Sequence, residues 1–228
     1  MKISYQDDKC VVIDDLLPPE LFSQIWKALG REDFMVGSIL GRWSKEWGYE
    51  GSPGWSSQSF TRHADDVVGD SWWSVMAWFL CNTTRGFPKH VGNDWNSIRI
   101  HAHLFGRGVR IYWHADKHSL GSFAWYAHPE WRPHWGGELM LADNVPVHDD
   151  LDELPPFAID RKWEDGLLEC GMGMYFAPLP NRCILTAPGV FHAVNRVDPD
   201  AGDAVRCSVV GFLGKKKEDE NADEMKKE

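Results

Sequence analysis

A His-x-Asp motif and a distant second histidine are the residues of this sequence that are best suited to chemistry. His114 and Asp116 lie in the segment Tyr112-Trp113-His114-Ala115-Asp116, and His192 follows far downstream in Val190-Phe191-His192. Two imidazoles and one carboxylate can occupy one face of an octahedral Fe(II) ion and leave the other face open. The three residues therefore predict an iron site for chemistry that uses Fe(II) and O2.

The His-x-Asp pattern is a weak signal by itself, because it occurs three times in this chain. The copy at His63 precedes an apolar helical run, and its acidic residues suit a helix start near residue 66. The copy at His148 lies in an acidic segment that is typical of a solvated loop. His114 differs because it follows the strand-like run 109–113, and side chains two apart on a strand share a face. We therefore interpret His114 and Asp116 as a pair that points into one site.

The segments around these residues are predicted to be strands joined by turns. Aromatic and β-branched residues in alternation predict strands at about 122–126, 138–141, 183–186 and 205–212. Glycine-containing turns separate several of them. Ligands so far apart in sequence meet only if the strands wind into a barrel-like pair of sheets. The predicted fold class is therefore mainly β with flanking helices.

Two helices are predicted on the same grounds. Pro18 and Pro19 suit the start of the first helix, whose apolar stripe is closed by Gly30. The second helix is predicted at about 66–81, with aromatic and aliphatic residues available to cover a sheet. The helices flank the predicted strands and supply part of the core.

The remaining segments are predicted to be loops and a tail. Residues 31–62 are rich in Gly, Ser and Trp, which predicts a long loop that is either a lid or a surface excursion without function. Residues 143–165 form a second predicted loop, with two prolines and an acidic run. We expect one domain over 1–214 and a charged C-terminal tail over 215–228.

The ordered set of motifs resembles the Fe(II)/2-oxoglutarate-dependent dioxygenases, and most closely their prolyl-4-hydroxylase-like branch. That pattern comprises an H-x-D, a Y-L-N-x-x-W strand end, a G-G-E-L turn, a distal H-x-V and a basic residue on the final strand. This chain carries corresponding residues in the same order, at His114/Asp116, 126–131, 136–139, 192–194 and Arg206. The resemblance covers about residues 10–213. It implies a double-stranded β-helix (jelly-roll) core and 2-oxoglutarate as cosubstrate beside Fe(II) and O2.

The resemblance also indicates which residues would bind the cosubstrate. The planar guanidinium of Arg206 can bind the far carboxylate of 2-oxoglutarate with two parallel hydrogen bonds. Ser208 shares its strand face and can add a hydroxyl. By resemblance, Tyr126 donates to the same carboxylate and Leu139 packs beside the cosubstrate. His103 stands where the family usually carries a tyrosine that contacts the cosubstrate or the nearby substrate.

Candidate substrate residues follow from strand alternation. Arg99 and His101 share a strand face with His103, which predicts that all three line the pocket. The alternative is that His101 and His103 face solvent. Tyr112 lies two residues before His114 and is predicted to share a strand face with His114 and Asp116, so it is a candidate for the substrate side of the site.

Several functions stay open on this basis. The first is hydroxylation of an aliphatic C–H bond of a small polar substrate, such as an amino acid or a derivative, coupled to decarboxylation of 2-oxoglutarate. The alternatives are a prolyl hydroxylase acting on a peptide or protein, and a non-catalytic, cupin-like metal-binding module. Arg206 and Ser208 favour an oxygenase, because a binding module does not need to bind a carboxylate. Asp116 argues against a halogenase, whereas desaturation and ring formation stay open.

Composition limits the remaining classes. The 228 residues and 26.0 kDa are enough for one domain with a sizeable core. A net charge of −10 argues against nucleic acid as a partner, because proteins bind phosphate backbones mainly through clustered Lys and Arg. Five scattered Cys without a C-x-x-C motif predict a reducing compartment. No secretion signal or membrane-spanning run is evident, so we expect a cytoplasmic protein with no membrane partner. The oligomeric state is not predicted.

Overall fold

The computed structural model describes residues 1–36, 54–67, 69–116, 119–143 and 161–215. Among these residues, 13 strands form two antiparallel sheets. The strands are β1 Lys2–Gln6, β2 Cys10–Asp14, β3 Phe34–Val36, β4 Trp55–Ser57, β5 Phe60–His63, β6 Ser97–Phe105, β7 Ile111–Ala115, β8 Gly121–Tyr126, β9 Leu139–Ala142, β10 Gly173–Phe176, β11 Cys183–Thr186, β12 Phe191–Val194 and β13 Arg206–Gly214. The helices are α1 Pro19–Leu29, α2 Trp72–Arg85, α3 Pro88–Val91 and α4 Arg161–Cys170.

The two sheets form a double-stranded β-helix, as the sequence predicts. The larger sheet has the order β1-β2-β11-β8-β13-β6-β4-β3, with β5 also paired to β6. The smaller sheet has the order β10-β9-β12-β7. A cavity is lined by residues of both sheets, so the sheets face each other across it. The mainly β fold class with flanking helices is confirmed.

Each face of the larger sheet has a different environment. On one face, alternate residues such as Ile98, Ile100 and Val209 join a fully buried core with Ile25 of α1 and Leu80 of α2. The opposite face points toward the smaller sheet. Because β6 and β13 alternate between the faces, their polar residues lie together on the side of the cavity.

The first predicted helix is confirmed and the bounds of the second are wrong. Helix α1 begins at Pro19 and ends before Gly30, as predicted. Helix α2 begins at Trp72 rather than near residue 66. The side-chain oxygen of Ser71 accepts a hydrogen bond from the backbone N–H of Ser74 and caps that end. Asp65 does not start a helix. It lies in a turn after β5, and its carboxylate pairs with Arg85 in the last turn of α2.

The two predicted loops contain more regular structure than expected. The described parts of 31–62 include β3, β4 and β5, which extend the larger sheet next to β6. The prediction of one continuous loop is therefore wrong. Part of the predicted loop 143–165 lies in α4, which begins at Arg161. Residues 37–53, 144–160 and the tail beyond 215 lie outside the described residues, so the two alternatives of a lid and a surface excursion, and the charged tail, stay predictions.

The described helices include none that is both long and apolar enough to span a membrane.

Candidate active site

The predicted metal ligands converge in the structure. Strand β12 lies beside β7, with His192 directly opposite His114, and Asp116 follows the end of β7. Their potential ligand atoms all lie within 4.8 Å of one another, and no other group of three such residues is found in the described parts of the chain. Asp116 Oδ1 is 3.9 Å from His114 Nε2, and Asp116 Oδ2 is 3.6 Å from His192 Nε2. These three side chains can therefore hold one metal ion.

Both histidines are oriented in the same way by the backbone. Nδ1–H of His114 donates to the carbonyl of Tyr112, and Nδ1–H of His192 donates to the carbonyl of Val190, each at 2.8 Å. A proton on Nδ1 leaves the Nε2 lone pair free and directed at the cluster. Burial, and then the neighbouring His192, lower the pKa of His114 to about 4. His114 is therefore neutral near pH 7, as a metal ligand must be.

Arg206 is the buried cation of the same cavity. It is 1% exposed, and the described residues form no salt bridge with it. Its Nε–H donates to the carbonyl of Gly137 at 2.7 Å, and Nη1–H donates to Ser208 Oγ at 3.1 Å. Gly137 has a φ of +73°, and a Cβ there would lie only 2.7 Å from Arg206 Cδ. The G-G-E-L turn thus lets its backbone approach the arginine and orient it.

Tyr126 has a buried hydroxyl beside this guanidinium. The guanidinium carbon of Arg206 lies 4.9 Å from the centroid of the Tyr126 ring. Tyr126 Oη is buried and lacks a hydrogen-bond partner among the described residues. Burial raises the pKa of Tyr126, and the Arg206 charge opposes that rise, so the hydroxyl keeps its proton. A buried unpaired O–H is costly unless a ligand accepts from it. This hydroxyl and the guanidinium, which has no carboxylate partner among the described residues, together fit an anionic ligand such as the far carboxylate of 2-oxoglutarate.

The cavity wall next to Arg206 contains the two histidines of β6. His101 and His103 both line the cavity, as does Arg99, so the prediction that they face a pocket agrees with their placement. Their Nε2 atoms are 3.0 Å apart, and Ser56 Oγ is 2.8 Å from His103 Nδ1. Burial, the neighbouring His101 and Arg206 hold the pKa of His103 well below its usual range. Leu139 lines the opposite wall, on the smaller sheet.

The prediction that Tyr112 shares a strand face with His114 is wrong. His192 pairs with His114 whereas Val194 pairs with Ile111, so two steps along β12 match three along β7. This β-bulge reverses the alternation of β7 before His114. Ile111 lines the cavity in place of Tyr112, whose hydroxyl accepts a hydrogen bond from Arg110. The bulge therefore places Tyr112 outside the described lining of the cavity.

The His-x-Asp copy at His63 does not contribute to the cluster. His63 lies at the end of β5, and its Nδ1 is 3.9 Å from an exposed Asp65 carboxylate. His148 lies outside the described residues.

His128 is a buried residue whose structural role the sequence did not reveal. It occupies the position of the asparagine in the Y-L-N-x-x-W pattern. Its Nε2–H donates to the carbonyl of Pro178 at 2.7 Å, and its Nδ1 accepts from the backbone N–H of Cys207 at 3.2 Å. His128 thus joins the end of β8 to the residue that follows Arg206. Burial lowers the pKa of His128 to about 4, outweighing the opposing effect of the Pro178 carbonyl.

We expect His128 to make folding sensitive to acid. Its pKa is about 4 in the folded chain and about 6.5 in an unfolded one, so between these values the unfolded chain binds a proton that the folded chain does not. The free energy of unfolding should fall by up to about 1.4 kcal/mol per pH unit in that window, or about 3 kcal/mol in all. His128→Asn keeps a donor and an acceptor but does not titrate. Urea denaturation from pH 7 to 4.5 should give a smaller slope for this variant, and equal slopes would contradict the assignment.

Comparison with known proteins supports the fold assignment. Neither a family model nor a curated protein matches the sequence. A prolyl-4-hydroxylase from Pseudomonas putida is similar in structure, with a TM-score of 0.58 and 14% identity, over 91% of this chain and 92% of that one. An oxidoreductase of the 2OG-Fe(II) oxygenase family from Burkholderia pseudomallei has a TM-score of 0.56 and 14% identity, over 91% and 88%. HygX from Streptomyces hygroscopicus, solved with nickel and 2-oxoglutarate bound, has a TM-score of 0.55 and 11% identity, over 91% and 83%. The chain thus has the fold of the Fe(II)/2-oxoglutarate oxygenases.

Proposed function

We propose that this protein is an Fe(II)- and 2-oxoglutarate-dependent oxygenase that hydroxylates an aliphatic C–H bond of a small polar substrate. One observation carries the proposal. Arg206, which is buried and has no salt bridge among the described residues, shares a cavity with a cluster of two histidines and one aspartate. Burying an unpaired cation is costly, so the site is suited to an anion that binds there. A group of three candidate metal ligands and a carboxylate-binding site in one cavity fit a 2-oxo acid that binds a metal ion.

One set of residues would bind the metal and another would bind the cosubstrate. His114, Asp116 and His192 would hold Fe(II), and Arg206 would hold the far carboxylate of 2-oxoglutarate with help from Ser208 and Tyr126. Bound Fe(II) and 2-oxoglutarate together supply the oxidation: one oxygen atom of O2 enters the substrate C–H bond and the other enters succinate, with release of CO2. The protein orients both reactants and keeps His114 neutral.

A cupin-like binding module is the weaker alternative. Such a module needs the metal ligands but has no use for Arg206 and the unpaired hydroxyl of Tyr126. The similarity to HygX, which was solved with nickel and 2-oxoglutarate bound, supports the oxygenase.

The volume and the lining residues of the cavity support a small polar substrate. Its volume is about 720 Å³, in the usual range for small-molecule sites. Hydroxyl side chains are frequent in its lining: Ser56, Ser57, Ser59, Thr61, Ser97, Ser119, Ser122, Thr186 and Ser208. A prolyl residue in a peptide is the second candidate, supported by the similarity to the Pseudomonas putida prolyl-4-hydroxylase.

A succinate assay tests the function. Purified protein with Fe(II), 2-oxoglutarate and air is expected to form succinate slowly without substrate and faster with a substrate. Succinate formation should stop when iron is chelated or O2 is removed. Under labelled O2, mass spectrometry should find one labelled oxygen atom in the organic product. Metal binding without affinity for 2-oxoglutarate would instead indicate the binding module, and loss of two hydrogens would indicate desaturation or cyclisation.

A further inference from the structure

The cavity is lined by two arginines that lie at opposite ends of one strand pair. Arg206 of β13 pairs with Phe105 of β6, and Phe212 of β13 pairs with Arg99 of β6. From 206 to 212 the ladder advances six residues, or roughly 20 Å at about 3.3 Å per residue. Arg206 is hydrogen-bonded to Gly137, whereas the Arg99 guanidinium lies 4.9 Å from the Phe212 ring centroid. Each cationic group therefore stays at its own end.

The cosubstrate is too short to contact both arginines. The carbon chain of 2-oxoglutarate has four C–C bonds of about 1.5 Å each, so it extends at most about 6 Å. If Arg206 binds its far carboxylate, Arg99 is left for something else.

The three candidate metal ligands, His114, Asp116 and His192, lie between the two arginines. On the smaller sheet, Leu139 pairs with Val194 close to the Gly137 turn that contacts Arg206, and His192, two residues before Val194, pairs with Leu141 further from that turn. Beyond the cluster, Leu120 lies at the other end, where its backbone N–H donates to the carbonyl of Leu213. The cavity thus continues past the three candidate metal ligands toward Arg99, on the side away from Arg206. A substrate bound there has the metal at one end and Arg99 at the other.

The charge at this end is positive and lacks a partner in the described parts of the chain. Arg99 is exposed at the cavity wall, and none of the described residues forms a salt bridge or hydrogen bond with it. Asp116 is the one carboxylate among the described lining residues, and the metal would use it. Burial, and then the charge of Arg99, lower the pKa of the adjacent His101 to about 4, so His101 is neutral and leaves Arg99 as the cation at this end. Thr61, paired with Arg99 across β5 and β6, adds a hydroxyl.

We propose that the substrate carries an anionic group, a carboxylate or a phosphate, which Arg99 binds at the end of the cavity opposite Arg206. This proposal rests on the proposed oxygenase function and adds the charge and orientation of the substrate. Arg99 offers a planar set of donors that matches either anion. The stacking of its guanidinium on Phe212 holds that set at the wall of the cavity. The carbon to be oxidised then lies between the anionic group and the metal.

Matched pairs of small molecules test the charge requirement. Amino and other carboxylic acids are compared with their carboxamides, and phosphate monoesters with the corresponding alcohols, in the succinate assay. We expect stimulation by anionic members and little by their neutral partners. The acid and phosphate arms distinguish the two kinds of anion. Equal stimulation by a neutral partner, or no stimulation by any anionic member, would overturn the proposal.

An arginine pair on neighbouring strands supplies the matched variants. Arg99→Gln should raise KM for the stimulating anion by roughly 10- to 100-fold, and Arg99→Lys by less, because a charge-assisted hydrogen bond is lost or weakened. Arg62→Gln is the control, because Arg62 also lies over a phenylalanine ring, that of Phe60, but is not part of the described cavity lining. An unchanged KM in Arg99→Gln would overturn the proposal.

Measurements with 2-oxoglutarate distinguish failure of the anion requirement from failure of the proposed oxygenase function. Slow, substrate-free succinate formation and KM for 2-oxoglutarate should be the same in the control Arg62→Gln as in the wild type. If the wild type forms no succinate and does not bind 2-oxoglutarate, the oxygenase function is wrong. If succinate forms but neutral molecules stimulate it equally, only the anion requirement is wrong.

Discussion

Replacing His114 and His192 together with alanine is expected to abolish both Fe(II) binding and substrate oxidation. The two imidazoles supply two of the three protein ligands in the cluster, and Asp116 alone cannot hold a divalent ion against water. Metal analysis after reconstitution under anaerobic conditions should find about one iron per chain in the wild type and almost none in the variant. Succinate formation should fall to background.

The sequence contains a matched control for this experiment. His63→Ala/His134→Ala also removes two histidines, one of them from a His-x-Asp motif, but neither lies in the cluster. This control should keep its iron and its turnover. Because both cluster histidines are largely buried, circular dichroism must show that the His114/His192 variant is folded. Stoichiometric iron in that folded variant would refute the assignment of the ligands.

Arg206→Ala is expected to weaken 2-oxoglutarate binding by a large factor while iron binding persists. Truncation leaves the far carboxylate unpaired in a buried site, which costs about 2–5 kcal/mol by analogy with buried charge pairs. The dissociation constant should therefore rise by roughly 30- to several thousand-fold. Titration of the metal-loaded protein with 2-oxoglutarate under anaerobic conditions measures this change directly. Arg206→Lys keeps the charge but loses the planar pair of donors, so we expect an intermediate loss.

Tyr126→Phe separates the hydroxyl from the charge in the same titration. The Tyr126 hydroxyl has no partner among the described residues, so its removal should cost little stability in the free protein. Affinity for 2-oxoglutarate should nevertheless fall by about tenfold, because a hydrogen bond to a carboxylate is lost. A normal dissociation constant in both Arg206→Ala and Tyr126→Phe would place the carboxylate site elsewhere in the cavity.

The sequence alone was sufficient to predict that the three candidate metal ligands come together and that an arginine lines the same cavity. His114, Asp116 and His192 have residue types that suit iron, and Arg206 and Ser208 share a strand face because alternation is a local property of an extended chain. The β8, β11 and β13 strands were also predicted nearly in full, since their aromatic and β-branched residues alternate without interruption. Helix α1 was predicted because its proline start and glycine end are signals within the segment itself.

Other features depended on contacts between distant segments. The bulge in β7 exists only where this strand pairs with β12, so parity counted along the sequence misplaced Tyr112. Strands β3, β4 and β5 are short and depend on partners elsewhere in the chain: β4 and β5 pair with β6, and β3 pairs with β4, which is why 31–62 resembled a loop. The hydrogen bonds of His128 link it to Pro178 and Cys207, which are remote in sequence. Only the pairing of β6 with β13 sets Arg99 and Arg206 at opposite ends of the cavity, because register is a property of two strands and not of either one.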